Sequence, residues 1–437
     1  MWPYYPELLE TPVPRYTSFP TAAEFGPAVG SQELDAALRA VSGDVSLYLH
    51  IPFCEQICWY CGCNTGAANR RDRLASYLDS LHREIALVGT RLDGRVSVRR
   101  VAFGGGSPNA IAPTDFVRLV DALTLKCDLV DPVWSIELDP RTLSDDWEPV
   151  LRVVGVQRAS MGVQTFSPRL QAAIGRVQPD AMIEGSTAML RRAGVSSINF
   201  DLMYGLPGQT MDDLQASLAR SVELGADRIA LFGYAHVPHI IPRQKRIDAS
   251  ELPDQAQRFA MAATGHDYLA AAGYVPIGFD HFALPGDPMA MAARAGQVHR
   301  NFQGFTDDAA PVLLGLGASA ISMFPDVIVQ NEKNAGRYRM MLSQDRVPGH
   351  VGVLRSASDR ELGGIITEFL CQGRARVGRE RLAAMAPALA QFTQRGLAVI
   401  EGEDLVLLQD GVPYARTIAA LFDPYRQDSA RRFSSAV

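Results

Sequence analysis

Short apolar segments alternate with longer segments of helical period over residues 45–235, and this alternation constrains the fold more than any other feature of the chain. The apolar segments predict six strands, at residues 45–50, 98–103, 133–138, 158–163, 197–203 and 228–233. Strands that alternate with helices predict parallel strands joined by crossover helices. We therefore expect an α/β fold with a (β/α)6 partial barrel. A doubly wound sheet gives the same alternation and stays open at this point.

The segments between these strands are amphipathic and predict the linking helices. They include RLASYLDSLHREIALVGTRL, TDFVRLVDALTL, AMIEGSTAMLRRAG and TMDDLQASLARSVELG. Thr210 and Asp213 have the spacing of a capping pair at the start of the last of these helices. After about residue 340, two charged helical segments, ASDRELGGIITEFLCQGRARVG and GRERLAAMAPALAQFTQRG, precede LAVIEGEDLVLLQDG, which predicts a small hairpin.

The chain of 437 residues is longer than one hydrophobic core usually supports, which predicts one large domain and a smaller one. We expect an N-terminal arm (1–40), a catalytic domain (41–340) and a C-terminal, mostly helical domain with a hairpin (341–437). Two helices followed by a hairpin also fit a winged-helix DNA-binding unit. The mixed charge of this segment favours packing against the barrel instead.

Composition argues against nucleic-acid and membrane partners. The formal net charge is −6, and no apolar run approaches the length of a membrane-spanning helix. The first residues, MWPYYPELLETPVPRYTSFPTA, lack the basic and apolar regions of a signal peptide. We expect a cytoplasmic enzyme that acts on a small molecule.

Unusual residues stand where the predicted strands end. The six strands lead, in order, to a cysteine loop, GGGSP, LDP with Glu137 just before it, Gln164, YGLPGQT with Asp201 before it, and YAH. In parallel α/β folds the active groups gather at the carboxyl ends of the strands. These positions therefore predict one site at one rim of the barrel.

Four of the six cysteines lie within HIPFCEQICWYCGCN, at Cys54, Cys58, Cys61 and Cys63. Three thiolates from one loop can hold three irons of a [4Fe–4S] cluster and leave the fourth iron open to a ligand that is not protein. A structural zinc site usually takes two separated pairs of ligands, which this crowded loop does not offer. A redox disulfide between Cys58 and Cys61 is a further alternative, but the motif does not open a thioredoxin-like helix.

The C-x3-C-x2-C motif after the first strand, with Tyr60 before the third cysteine, resembles the radical S-adenosylmethionine (SAM) superfamily. The GGGSP turn at residues 104–108 matches the contact of that superfamily with the methionine amino group of SAM. The resemblance implies a (β/α)6 partial TIM-like barrel and a [4Fe–4S] cluster on Cys54, Cys58 and Cys61. It also implies that SAM binds the fourth iron, and that an electron from the cluster cleaves SAM to a 5′-deoxyadenosyl radical.

Eleven segments, which include the cysteine and glycine motifs, narrow the resemblance to the oxygen-independent coproporphyrinogen III oxidases over nearly the whole chain. They are RYTSFPTA, LYLHIPFC, YCGCN, FGGGSP, IELDPR, SMGVQTF, NFDLMYGLPGQT, YAHVP, GFDHFALP, HRNFQGF and LGLGASAIS. This family resemblance implies that two propionate side chains of coproporphyrinogen III become vinyl groups with release of carbon dioxide. The product would be protoporphyrinogen IX, made without oxygen.

The same resemblance implies residue roles. A first SAM would contact Tyr48, Gly105, Glu137 and Ile321, and a second SAM would contact Tyr60, Gly106, Ser107, Gln164, Arg176, Asp201 and Ala235. Tyr48 and Gln303 are the candidate catalytic residues. The resemblance implies that Gln303, in HRNFQGF, lies at the substrate mouth, and it implies the same for the N-terminal arm around Arg15 and Tyr16. The substrate has four carboxylates, so arginines should face its pocket, although spacing does not say which.

The implied partners are coproporphyrinogen III and a low-potential electron donor such as flavodoxin or ferredoxin, and we expect a monomer. Two related functions stay open. The first is a heme chaperone that binds and transfers heme; Cys63, where that relative usually has an aromatic residue, argues against it. The second is a radical SAM methyltransferase that opens heme under anaerobic conditions. Stable heme binding or a methylated linear tetrapyrrole would favour these alternatives.

Overall fold

The computed structural model describes residues 2–68 and 71–426, so the last part of the predicted C-terminal domain, residues 427–437, lies outside the described residues. The strands are β1 Gly43–Ile51, β2 Phe53–Cys54, β3 Gly66–Ala67, β4 Val96–Gly105, β5 Leu129–Leu138, β6 Arg158–Gln164, β7 Ser197–Tyr204, β8 Arg228–Gly233, β9 Val275–Ile277, β10 His281–Ala283, β11 His299–Asn301, β12 Gly304–Thr306, β13 Val312–Leu316, β14 Ile321–Met323, β15 Val327–Asn331, β16 Gly349–Leu354, β17 Arg374–Arg376, β18 Ala398–Glu401 and β19 Asp404–Leu407. The α-helices are α1 Ser31–Ala40, α2 Arg71–Leu92, α3 Pro113–Lys126, α4 Trp147–Val154, α5 Pro168–Ala173, α6 Asp180–Arg192, α7 Met211–Glu223, α8 Gln255–Ala271, α9 Pro288–Arg294, α10 Ala335–Ser343, α11 Ala357–Gln372, α12 Arg379–Thr393 and α13 Ala415–Ala419.

The six predicted strands are β1, β4, β5, β6, β7 and β8, and they lie in this order as parallel neighbours in one sheet. A doubly wound sheet reverses its strand order part-way along, which this sheet does not do. The structure therefore confirms the partial barrel. The core is formed by fully buried side chains on these strands, such as Val98, Met161 and Phe200.

The sheet is larger than predicted. A seventh parallel strand, β13, pairs with the other edge of β1, so that Tyr48 lies opposite Gly315. Antiparallel strands β14, β15 and β16 follow on that side, and β10 and β9 extend the sheet beyond β8. The twelve-stranded sheet thus includes β16, past the expected boundary at residue 340, which itself lies within α10. The predicted domain limits, after residues 40 and 340, stay a prediction.

The helices begin and end at residues with the expected local chemistry. The side chain of Thr210 accepts from the backbone of Asp213 and the side chain of Asp213 accepts from Thr210, which confirms the predicted capping pair of α7. One helical prediction was wrong: Gly373 ends α11 in the left-handed conformation with a φ of 66°, and the next residues form β17. Because glycine lacks a Cβ, it takes this conformation easily and ends helices. β17 pairs with β19 of the predicted hairpin.

The N-terminal arm packs on the C-terminal elements. The hydroxyl of Tyr16 donates to Asp423 at 3.0 Å, and the backbone N–H of Tyr5 donates to the hydroxyl of Tyr414 at 2.8 Å. In the described part of the chain, no helix is long and apolar enough to cross a lipid bilayer.

Candidate active site

The cysteine loop is closed by a short pair of strands just beyond the carboxyl end of β1. In this pair, Phe53 lies opposite Gly66 and Cys54 opposite Ala67. The backbone N–H of Trp59 donates to the carbonyl of Ile174 at 3.1 Å, which ties the middle of the loop to the residues after α5. The loop is therefore held at the rim where the parallel strands end.

The thiols of the loop face one cavity of about 190 Å³. Ten of the predicted residues line it together, at Cys54, Cys58, Cys61, Tyr60, Gly105, Gly106, Glu137, Gln164, Arg176 and Asp201. Cys63 lines it as well, and its hydrogen bond is the main cause that lowers the pKa of Cys61 to about 6. The strand-end positions named from the sequence thus meet in one place.

Two guanidinium groups donate hydrogen bonds to the sulfur of Cys58, Arg176 at 3.2 Å and Arg141 at 3.3 Å. Asp139 accepts from both arginines. Burial opposes the charge of Asp139, yet the two arginines hold its pKa below the usual range. Both guanidinium groups thus lie against the sulfur of a candidate cluster ligand. Asp139 and Arg141 were not predicted as site residues, although both belong to the IELDPR segment.

The glycine turn is required by close packing. Gly105 has a φ of 116°, and a Cβ added there would lie 2.7 Å from the ring of His50. A Cβ on Gly106 would lie 2.6 Å from the carbonyl oxygen of Phe53 and 2.7 Å from the hydroxyl of Thr65. That hydroxyl donates to the sulfur of Cys54 at 3.2 Å, so the turn packs directly against the cysteine loop.

Two partly buried carboxylates, those of Glu137 and Asp201, face the cavity. Burial raises the pKa of Glu137 to about 7, opposed by the N–H of Gly105, which donates to it at 3.1 Å, and reinforced by the charge of Asp201. Burial also raises the pKa of Asp201, which accepts from Asn199 at 2.8 Å and Ser160 at 3.1 Å. Both carboxylates can accept hydrogen bonds from the ammonium or hydroxyl groups of a ligand.

Gln164 ends β6 in the left-handed region, with a φ of 67°. This conformation is uncommon for a residue other than glycine, and such residues concentrate at ligand sites. A Cβ on Gly162 would lie 2.9 Å from the Gln164 side chain and 3.0 Å from that of Arg176, so the two side chains cover the strand end closely.

Four of the predicted cofactor contacts do not line this cavity. Tyr48 is buried beside it, with its hydroxyl 3.2 Å from Nδ1 of His50, and Ser107 donates to Asn109 at 2.6 Å. Ile321 lies on β14, next to Gly315, the residue opposite Tyr48. Ala235 is joined to the cysteine loop through Gln244, which donates to the carbonyl oxygens of both Ala235 and Tyr60. Gln244 was not predicted as a site residue.

A second cavity, of about 360 Å³, fills the barrel interior and adjoins the first. Glu137, Ser160 and Asp201 line both cavities. Gln303 lines the larger one, in the turn between β11 and β12, and the neighbouring Phe302 packs edge-on against Tyr48 with ring centres 4.8 Å apart. A molecule in the barrel can therefore reach the edge of the thiol-lined cavity.

Residues 48–220 match the family model of the radical SAM superfamily. An oxygen-independent coproporphyrinogen III oxidase from Bradyrhizobium diazoefficiens is 39% identical over 98% of this chain and 98% of the relative. The enzyme of the same name from Escherichia coli is 35% identical, with 96% of this chain and 94% of the relative covered. The chain belongs to the oxygen-independent coproporphyrinogen III oxidase family.

A solved structure from this family has the same fold. Coproporphyrinogen III oxidase from Escherichia coli, a radical SAM enzyme, superposes with a TM-score of 0.89 at 34% identity, over 94% of this chain and 97% of the other. As a radical SAM protein, the chain uses a [4Fe–4S] cluster and SAM.

The residues present fit the iron-sulfur cofactor of the oxidase family. All six cysteines are free thiols, and three of them lie on one loop at the required spacing. Among the described residues, no three histidine, cysteine or acidic side chains converge as they would around a single metal ion. A four-iron cluster does not need that convergence, because each thiolate holds a different iron.

Proposed function

We propose that this chain converts two propionate side chains of coproporphyrinogen III to vinyl groups, with loss of two molecules of carbon dioxide, and yields protoporphyrinogen IX. One structural observation carries the proposal: the thiol-lined cavity adjoins the larger barrel cavity along Glu137, Ser160 and Asp201. The larger cavity can receive the part of the substrate that carries the reacting propionate. The shared wall brings that space next to the candidate cofactor site.

When bound, the reduced cluster and SAM would supply the radical that removes a β-hydrogen atom from a propionate. The protein residues bind, orient and exclude water. Glu137 and Asp201 accept hydrogen bonds from ammonium and ribose hydroxyl groups, and Arg176 pairs with a carboxylate. Loss of carbon dioxide requires a further electron acceptor, which the sequence does not identify.

Cys54, Cys58 and Cys61 are the proposed cluster ligands. The proposed contacts of the first SAM are Tyr48, Gly105, Glu137 and Ile321, and those of a second SAM are Tyr60, Gly106, Ser107, Gln164, Arg176, Asp201 and Ala235. Shared lining of one cavity supports most of these assignments. For Tyr48 and Gln303, the contact of Tyr48 with Phe302 supports a role at the substrate mouth.

We also propose that a low-potential carrier such as flavodoxin or ferredoxin reduces the cluster at a cleft beside the cysteine loop. The cleft has a volume of about 530 Å³ and is lined by Thr65 and by the basic side chains of Arg73, Lys333 and Arg339. Those three side chains are charge-complementary to an acidic carrier. Thr65 contacts Cys54 on the other side, so a carrier docked here would be close to the cluster. We further propose that the protein is a cytoplasmic monomer.

The test is an anaerobic assay with reconstituted cluster, SAM, a low-potential reductant and coproporphyrinogen III. Protoporphyrinogen IX is followed through the fluorescence of its oxidised form, with Cys58→Ser as control. Product from the wild type alone supports the oxidase. Cleavage of SAM without vinyl product refutes the proposed substrate but not the radical chemistry. Stoichiometric heme binding without product supports the heme-chaperone alternative.

A further inference from the structure

A small cavity of about 50 Å³ lies beyond the wall of the barrel interior, between the N-terminal arm and the C-terminal elements. Its lining includes the guanidinium groups of Arg15, Arg258 and Arg416 and the carboxylate of Asp280. The volume exceeds what one water molecule needs and is on the scale of a carboxylate group. Basic side chains therefore outnumber acidic ones around a space that fits a small anion.

The side chain of Arg258 is not fully paired. Nε of Arg258 is buried and has no hydrogen-bond partner among the described residues. Burial is the main cause that lowers the pKa of Arg258, and the charge of Arg15 lowers it further. A buried donor without an acceptor is costly, which indicates a missing acceptor.

Asp280 does not supply that acceptor. It lies 2.6 Å from Nδ1 of His281, and its nearest contact with Arg15 is 4.0 Å. Arg300, on the other side of Asp280, donates to the carbonyl oxygens of Arg15 and Tyr16, while its buried Nη1 has no partner among the described residues. One carboxylate is thus surrounded by several guanidinium groups.

The small cavity borders the barrel interior. Phe282 lines both spaces, and the guanidinium of Arg15 lies 5.1 Å from the ring centre of Phe232, which lines the barrel interior. Glu137 and Asp201, which mark the reaction centre, line the barrel cavity but not the small one. Gly233 leaves the space open, because a Cβ there would lie 2.9 Å from the hydroxyl of Tyr204 and 3.3 Å from Arg258.

We propose that Arg258 and Arg15 form a carboxylate subsite that holds a propionate group of the substrate away from the reaction centre. The inference rests on the proposed function, whose substrate has four carboxylates and loses two. A propionate that does not react can stay bound while another is converted. Such remote contacts supply binding energy that orients the reacting group.

The test measures binding to the holoenzyme, so that it does not depend on turnover. The probes are coproporphyrin III, the oxidised tetracarboxylate, and its tetramethyl ester, each followed by fluorescence. Arg258→Met and Arg15→Met are compared with Arg118→Met, which removes an exposed arginine of α3 whose side chain is 72% accessible. The melting temperature and the cluster absorbance of each variant are recorded.

The expected result is that Arg258→Met weakens binding of the tetracarboxylate by roughly tenfold to a hundredfold, the usual loss for one hydrogen bond to a charged group. Binding of the ester should change little, and Arg118→Met should match the wild type for both probes. Equal weakening for acid and ester, or none for either, would overturn the subsite.

If Arg258→Met fails to fold, Arg15→Met provides a second test, because the Arg15 side chain is 39% accessible and its loss should be better tolerated. It should give the same selective loss of acid binding, and an unchanged preference for the acid would refute the subsite. The outcomes separate the two proposals: an arginine-dependent preference for the acid without vinyl product would retain the subsite and refute only the proposed function.

Discussion

Arg176 donates a hydrogen bond to the sulfur of Cys58 at 3.2 Å. The guanidinium also lies 3.2 Å from the carboxylate of Asp139, and Tyr60 and Asp139 raise its pKa despite the opposing effect of burial. A buried pair is strongly destabilised when one partner is removed, since the other charge loses its compensation. Loss of Arg176 should therefore change both the stability of the rim and the surroundings of the Cys58 thiol.

Arg176→Met should lower the free energy of unfolding by roughly 3 kcal/mol, because Asp139 then keeps only Arg141. Denaturant titration measures the change. Arg220→Met is the control: Arg220 pairs with three carboxylates, but at the surface, where water and salt weaken such pairs. The argument fails if Arg220→Met destabilises the chain as much as Arg176→Met.

Replacement of a cluster ligand should abolish the cluster, and replacement of Cys63 should not. We expect about four irons per chain after anaerobic reconstitution of the wild type and of Cys63→Ser. Cys54→Ser, Cys58→Ser and Cys61→Ser should each lose most of that iron. Iron analysis with electron paramagnetic resonance of the reduced proteins makes the comparison. Equal loss in Cys63→Ser would show that Cys63 is a ligand.

Gly106→Ala should disrupt the site although it adds a single methyl group. That methyl would meet Phe53 and Thr65 at less than normal contact distance, so the cysteine loop must move. We expect weaker SAM binding and less retained iron. Gly185→Ala is the matched control, because Gly185 lies inside α6 with nothing within 4 Å of an added Cβ. The control should gain roughly 0.5–1 kcal/mol of stability. Unchanged SAM affinity in Gly106→Ala would contradict the packing argument.

Glu84 should make the protein less stable as pH rises from about 4.5 to about 7. Its carboxylate is buried and accepts hydrogen bonds from Tyr338 and Asn331. Burial raises the pKa of Glu84 to about 7. In this range the folded carboxyl keeps a proton that the unfolded chain releases, so the unfolded state binds fewer protons and stability falls with pH. The full effect is roughly 3 kcal/mol.

Glu137 has a pKa raised in the same way and should contribute a second, similar fall. Glu84→Gln should therefore make stability fall less steeply with pH over this range, by up to about 1.4 kcal/mol per pH unit, whatever its effect on absolute stability. Urea titrations from pH 4.5 to 7.5 provide the measurement. An unchanged slope would mean that Glu84 has an ordinary pKa in the folded protein.

Charge reversal at the basic cleft should impair reduction by a protein donor but not by a small chemical reductant. Lys333→Glu with Arg339→Glu should raise the KM for reduced flavodoxin and weaken its dependence on salt. SAM cleavage driven by dithionite should stay at the level of the wild type. If both reductants are affected equally, the residues support the loop and do not dock a carrier.

Apolar runs predicted the six central strands because each strand carries several buried apolar side chains, which leave a clear sequence signal. Strand β13 was missed because VLLGLGASA is short and lies far along the chain from β1, its partner in the sheet. Gly373, which ends α11, was included in a predicted helical segment. No apolar run follows it that would have marked the change from helix to strand.

Position at the ends of parallel strands was enough to predict that Glu137, Gln164 and Asp201 meet the cysteines. The roles of Arg141 and Gln244 could not be predicted in this way. Each acts across a long distance in sequence, Arg141 on Cys58 and Gln244 on Tyr60, and only the folded chain brings them together. The unpartnered arginine atoms likewise have no signature in sequence.

The most direct test of the proposed chemistry is the fate of the propionate β-hydrogens. Coproporphyrinogen III carrying deuterium at those positions would be incubated anaerobically with the reconstituted enzyme, SAM and reductant, and the 5′-deoxyadenosine analysed by mass spectrometry. The account predicts transfer of deuterium into 5′-deoxyadenosine, with two molecules of it formed per protoporphyrinogen IX. Vinyl product accompanied by unlabelled 5′-deoxyadenosine would contradict it.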